Sequence, residues 1–200
     1  RRPNGFYIPR FRNIDKNSKK VNFLRGYGYQ GSASRSYWSE SVAELSYGRS
    51  FKDKITQAGD WRIGMGGFGE VLPYHENKMT LNYNKLDQFG LPKITLDAEF
   101  KENEKKMKED WKIQAAEMLE ATGFKDVTIN DSNAPIGKGI HEMGTARMGH
   151  DPKTSVLNKF NQIHAVKNVF VTDGACMTSA ANQNPSLTYM ALTARACDYA

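Results

Sequence analysis

The chain has 200 residues, enough for one good-sized domain, or one and a half, with a real core. Its 39% hydrophobic and 25% charged content excludes a disordered chain and a membrane-embedded one, and no apolar run approaches the roughly 18–20 residues of a bilayer span, so no transmembrane segment is expected. The net charge of +6 is spread over mixed acids and bases, so no nucleic-acid partner is expected; two cysteines and four scattered histidines make neither a disulfide framework nor a metal site.

Residues 1–20, rich in Pro, Asn, Arg and Lys, read as an irregular basic lead-in. The opening Arg1-Arg2-Pro3-Asn4-Gly5, with no initiator Met and no signal-like segment, reads as the start of an excised piece. Residues 21–30 carry aromatic and aliphatic side chains with glycine breaks and suit a strand, and residues 37–58 leave room for a short helix. Residues 61–72 read as a glycine-interrupted strand. Residues 78–83 and 93–98 alternate apolar and polar, as half-buried strands do, around turn material at 87–92. The clearest element is a helix over about 101–122. Met107, Trp111, Ala115, Met118 and Leu119 fall on one of its faces, and Gly123 stands where a C-terminal cap is wanted. A strand near 125–130 follows, then a long glycine-, proline- and asparagine-rich stretch over 131–165, of a length uncommon unless functional. Residues 168–172 suit an apolar strand ending at Asp173-Gly174. A last helix starts at Pro185, with Leu187, Met190, Ala191 and Ala194 expected inward.

Gly64-Met65-Gly66-Gly67-Phe68-Gly69 fits the GxGxxG pattern of dinucleotide-binding loops. Such a loop works only between a strand and a helix whose N-terminus faces the pyrophosphate, and Pro73 blocks an early helix here. The run therefore reads as a glycine-rich strand or bulge. His141 lies among Gly139, Gly144 and Gly149, where backbone can approach a ligand closely and an imidazole can take a proton near neutral pH. A structural histidine bonded to backbone accounts for the same residues. Asn184-Pro185 is a helix-start signal, with Asn184 as the cap. The amides and partial positive charge at such a start also favour an anion or an electron-rich ring. Asp173-Gly174 is either a cofactor contact at a strand end or a simple turn.

The segment His141-Glu142-Met143-Gly144-Thr145-Ala146-Arg147-Met148-Gly149 resembles the H-x-x-G-T-x-x-M-G segment of the glucose–methanol–choline (GMC) oxidoreductases. Residues 161–174 resemble that family's V-x-G-x-x-N-L-x-V-x-D-A/G strand. Asn182-Gln183-Asn184-Pro185-Ser186-Leu187-Thr188 is similar to its closing N-P-T-L-T helix. Within the family the chain looks most like the pyranose oxidase, glucoside 3-dehydrogenase and gluconate dehydrogenase large-subunit branch. The resemblance implies FAD as cofactor and a sugar or other alcohol as substrate. It casts His141 and Asn184 as the catalytic pair, and Asp173, Gly174, Pro185, Leu187 and Thr188 as cofactor-binding. It further implies an α+β fold: an antiparallel substrate-domain sheet with a long packed helix over 1–138, then an active-site loop and terminal strand–helix over 139–200 that rejoin an α/β FAD-binding domain. No segment matches the family's dinucleotide-binding unit, so the FAD domain of the same chain is expected outside these residues, and the piece alone is expected to be inactive. An electron-acceptor subunit is the partner the branch allows. The competing expectation is a non-catalytic binding or assembly module built on the same fold.

Overall fold

The computed structural model describes residues 4–18, 20–35, 47–56, 59–131, 136–137 and 140–200. The fold is mixed α and β, with antiparallel sheets, as expected. Strands β1 (Gly5–Ile8), β2 (Tyr27–Arg35) and β3 (Trp61–Gly69) form a three-stranded antiparallel sheet in that order. A separate hairpin joins β4 (Lys78–Leu86) to β5 (Pro92–Asp97). Helices α1 (Arg49–Thr56), α2 (Glu102–Ala121) and α3 (Ser186–Tyr199) complete the regular elements.

The register of β2 and β3 explains where the core sits. Tyr27 and Tyr29, two residues apart, point to one face, and their partners across the ladder are Gly69 and Gly67. Large rings opposite bare glycines leave a furrow, and α2 fills it. A Cβ at Gly67 would lie 2.9 Å from Trp111, and one at Gly69 would lie 2.7 Å from the sulfur of Met107. The GxGxxG run is thus the glycine-rich strand the sequence suggested, and its later glycines admit a helix. Phe23, Tyr27, Tyr29 and Met107 are the buried centre, with Trp111, Ala115 and Met118 packed against it from α2.

Polar groups fix α2 at both ends. Glu104, buried at the third helical position, accepts from the backbone of Lys101 (3.0 Å) and Leu72 (3.1 Å) and from the Tyr74 hydroxyl. Its charge also suits the positive end of the helix. The Tyr74 hydroxyl is correspondingly pushed up to about 12, by burial first and by Glu104 second. At the other end Gly123 adopts φ +90°, and the amides of Gly123 and Phe124 bond back to Glu120 and Leu119, the Schellman pattern expected of a capping glycine. Midway, Asp110 accepts from Arg12 (2.9 and 3.2 Å) and from the Tyr27 hydroxyl.

Several expectations change. The lead-in contains β1, paired with β2 over Gly5 to Ile8, a strand too short to show a period. The strand expected at 21–30 begins only at Tyr27 and runs on to Arg35. The short helix expected within 37–58 forms as α1, while residues 37–46 of that stretch lie outside the described residues. No strand forms at 125–130, because among the described residues no neighbouring strand lies alongside to bond it. The strand at 168–172 shrinks to a bridge between Gln162 and Phe170, flanked by bonds from Ile163 to Val169 and from Val171 to Asn161. On α3 the expected inward residues face out: Leu187 is 78% and Met190 68% exposed, and Ala191 and Ala194 are exposed too. Its buried side carries Ala196, with Tyr189 and Thr193 half-buried. Both stripes have helical spacing, so periodicity alone could not choose between them. Among the described residues no helix is long and apolar enough to cross a membrane.

Candidate active site

The segment that carries His141 is built onto the stretch that ends in α3. Ala146 donates to the Ala175 carbonyl and Met148 to the Cys176 carbonyl, each at 2.9 Å. Residues 146–148 thus run beside 175–176. Between them Gly144, at φ +91°, lies against the carbonyls of Met177 and Thr178. Gly174 is a second close approach of these two stretches. A Cβ there would meet the Tyr189 hydroxyl at 2.8 Å, the Glu142 carbonyl at 2.9 Å and the sulfur of Met143 at 3.0 Å.

Tyr189 lies in the first turn of α3, with its amide bonded to the Pro185 carbonyl at 3.1 Å. Helical side chains tilt toward their own N-terminus, so its contact with Met143, at 3.4 Å from hydroxyl to sulfur, lies at the head of the helix. Burial pushes the Tyr189 hydroxyl up in pKa, so it stays a neutral donor. His141, one residue before the Glu142 carbonyl, is half-buried, and Asn184, one residue before Pro185, is exposed. The residues that follow the imidazole thus lie against Tyr189 in α3, the helix that Asn184 leads into.

The expected cap moves. Pro185, not Asn184, occupies the N-cap position, and no side chain bonds the first amides of α3. This corrects the capping account of Asn184, because a residue one step further out cannot reach those donors from its ordinary position. Pro185 itself is buried. Ser186, Leu187 and Thr188 begin the helix, and their amides have no acceptor among the described residues. Asp173 caps the short 3-10 turn Gly174–Cys176 by accepting from the Ala175 amide at 3.0 Å, and it is exposed. Cys176 is buried and burial raises its thiol pKa, which leaves it inert. A surface hollow of about 370 Å³, lined by Met148, Gly149, His150, Lys159 and Arg195, includes neither member of the expected pair. Among the described residues no three His, Cys, Asp or Glu side chains gather as a metal site.

Two contacts escaped sequence reasoning. Ser179 donates to the buried Glu70 at 2.6 Å, and the buried Asn182 donates to the Tyr7 hydroxyl at 3.3 Å. The only hint of the first was an acid directly after the glycine-rich run 64–69, which carries no other charge.

The family model described as GMC oxidoreductase matches residues 73–193. The chain belongs to the GMC oxidoreductase family. It is similar to 2-methyl-1,2-propanediol dehydrogenase of Mycolicibacterium austroafricanum, 33% identical over 201 residues that cover 96% of this chain and 35% of the relative. It is also similar to the fructose dehydrogenase large subunit of Gluconobacter japonicus (26% identical, 96% of this chain, 34% of the relative). A third relative is the gluconate 2-dehydrogenase flavoprotein of Pantoea cypripedii (26%, 74% and 25%). The chain thus spans about a third, or less, of the length of these relatives. GMC oxidoreductases are generally flavin-dependent, and these relatives include sugar and diol dehydrogenases.

Proposed function

We propose that this chain supplies the substrate side and the catalytic pair of an FAD-dependent enzyme that oxidises a CH–OH group of a sugar or other alcohol. The observation that carries the reading is the seating of the residues after His141 on α3, where Met143 meets Tyr189, five residues past Asn184, and Glu142 and Met143 lie against Gly174. The same head suits a flavin. Three amide donors lack acceptors among the described residues, and Leu187 beside them offers exposed apolar surface to a flat ring.

Bound FAD supplies the two-electron acceptor for the hydride that leaves the substrate carbon. The chain's own residues do the rest. The His141 imidazole takes the hydroxyl proton as the C–H bond breaks, which requires a base within hydrogen-bond reach of that oxygen. The Asn184 amide donates to the same oxygen and orients it. The start of α3, with Pro185, Leu187 and Thr188, stabilises negative charge that develops beside it. Asp173 and Gly174 hold the turn that brings the two segments together. In this reading residues 1–138 form the substrate domain and 139–200 the catalytic segment that joins the FAD domain, and an electron-acceptor subunit is a further partner.

The test is His141→Ala in the flavin-loaded protein, assayed on aldoses, glycosides and short diols with an artificial acceptor. We expect turnover to fall by roughly 10²–10⁴, the usual range for losing a general base, with the flavin spectrum retained. Full turnover with flavin bound would remove His141 as the base.

A further inference from the structure

The stretch from Thr178 to Asn184, which leads into α3, makes no backbone hydrogen bond among the described residues. Two side-chain contacts tie it to the rest of the molecule, and both reach the three-stranded sheet rather than its own neighbours. Ser179 donates to Oε1 of Glu70 at 2.6 Å, just past the end of β3. Asn182 donates to the hydroxyl of Tyr7 in β1 at 3.3 Å.

The sheet is shaped to receive them. Glu70 is only 8% exposed, its amide bonds the Gly26 carbonyl, and Oε1 also faces Nε of Arg25 at 3.5 Å. A buried carboxylate held by backbone and by a cation is a fixed anchor. Asn182 is 6% exposed, and its side-chain nitrogen would lie 2.3 Å from a Cβ at position 28, so only a glycine in β2 lets it come so close. Both contacts lie within five residues of Asn184, which makes no hydrogen bond among the described residues.

We propose that Glu70 and Tyr7 are positioning residues that act through Ser179 and Asn182 to hold the 178–184 segment, and so set where the Asn184 amide meets the substrate oxygen. This rests on the assignment of Asn184 to the catalytic pair. The sheet that makes the substrate side thereby fixes a group of the catalytic side, which keeps that group in register with the bound hydroxyl. Catalytic geometry is sensitive on this scale, since a misplacement of about 1 Å can cost roughly 100-fold in rate.

The experiment uses flavin-loaded protein carrying Ser179→Ala, Asn184→Ala or both, with Ser179→Thr, which keeps the hydroxyl, as the conservative variant. Flavin reduction is followed by stopped flow under saturating alcohol. Ser179→Ala is expected to slow reduction about 10- to 100-fold, with KM within threefold and flavin content unchanged. Ser179→Thr should recover most of the rate. In the Asn184→Ala background, Ser179→Ala should cost nothing further. Losses that multiply, or parent-like reduction in Ser179→Ala with only melting temperature or flavin content lowered, overturn the positioning role. Asn184→Ala at the parent rate overturns the catalytic pair itself. It is told apart from failure of the tether alone, in which Asn184→Ala is slow and Ser179→Ala is not.

Discussion

The glycines of β3 offer a test of why this GxGxxG run exists. Gly64 faces open space, with nothing within 4 Å of an added Cβ, whereas at Gly67 three carbons of the Trp111 indole lie 2.9–3.2 Å from that position. An alanine at 64 adds strand preference and removes freedom from the unfolded chain, worth about 0.4–1 kcal/mol in its favour. An alanine at 67 gains the same but must push a large ring held against the buried Tyr27, whose ring centroid is 6.2 Å away. Overpacking of this kind costs about 1–3 kcal/mol. Gly67→Ala should therefore be about 1–3 kcal/mol less stable than Gly64→Ala. In urea this is a lower midpoint at unchanged slope. Trimming the indole with Trp111→Leu should cancel most of the difference between the two glycine variants. Equal losses at 64 and 67, or no relief from the Trp111 change, would refute the packing account. A phosphate loop would give another pattern, with Gly64 the most sensitive to dinucleotide affinity rather than to urea.

Two further outcomes follow from the buried polar contacts. Asp110→Ala strands the Arg12 guanidinium, whose side chain is 10% exposed, and leaves the Tyr27 hydroxyl without its acceptor. Because the carboxylate itself is 24% exposed, the loss should fall at or below the lower end for broken buried pairs, about 2–3 kcal/mol by denaturant titration. A loss under about 1 kcal/mol would show the pair to be no more than a surface one. Tyr29 and Tyr74, both pushed up to about 12, are neutral in the folded protein over a range where the unfolded chain has already ionised. The unfolded state then binds fewer protons, so the stability these two tyrosines contribute falls as pH rises from about 10 and is spent by about 12. Tyr74→Phe should make that fall shallower in thermal melts across the alkaline range, and an unchanged slope would refute it.

The family was legible from residues 141–149, 161–174 and 182–188, because a histidine in a glycine-rich stretch, an apolar run ending in Asp-Gly and an Asn-Pro helix start are local patterns. The long helix, its Gly123 cap and the β4–β5 hairpin were legible for the same reason: period and cap chemistry act over one or two turns. What the chain could not declare in one dimension was pairing. Strands at 125–130 and 168–172 have the right composition but need a partner alongside, and tertiary structure alone decides that. The two apolar stripes of α3 had equal claims until Tyr189 met Met143. The contacts of Ser179 with Glu70 and of Asn182 with Tyr7 join residues more than a hundred positions apart, and no spacing rule reaches that far. Local chemistry determined which side chains are present to react; only the fold decided what holds them where they stand, because that hold comes from groups distant along the chain.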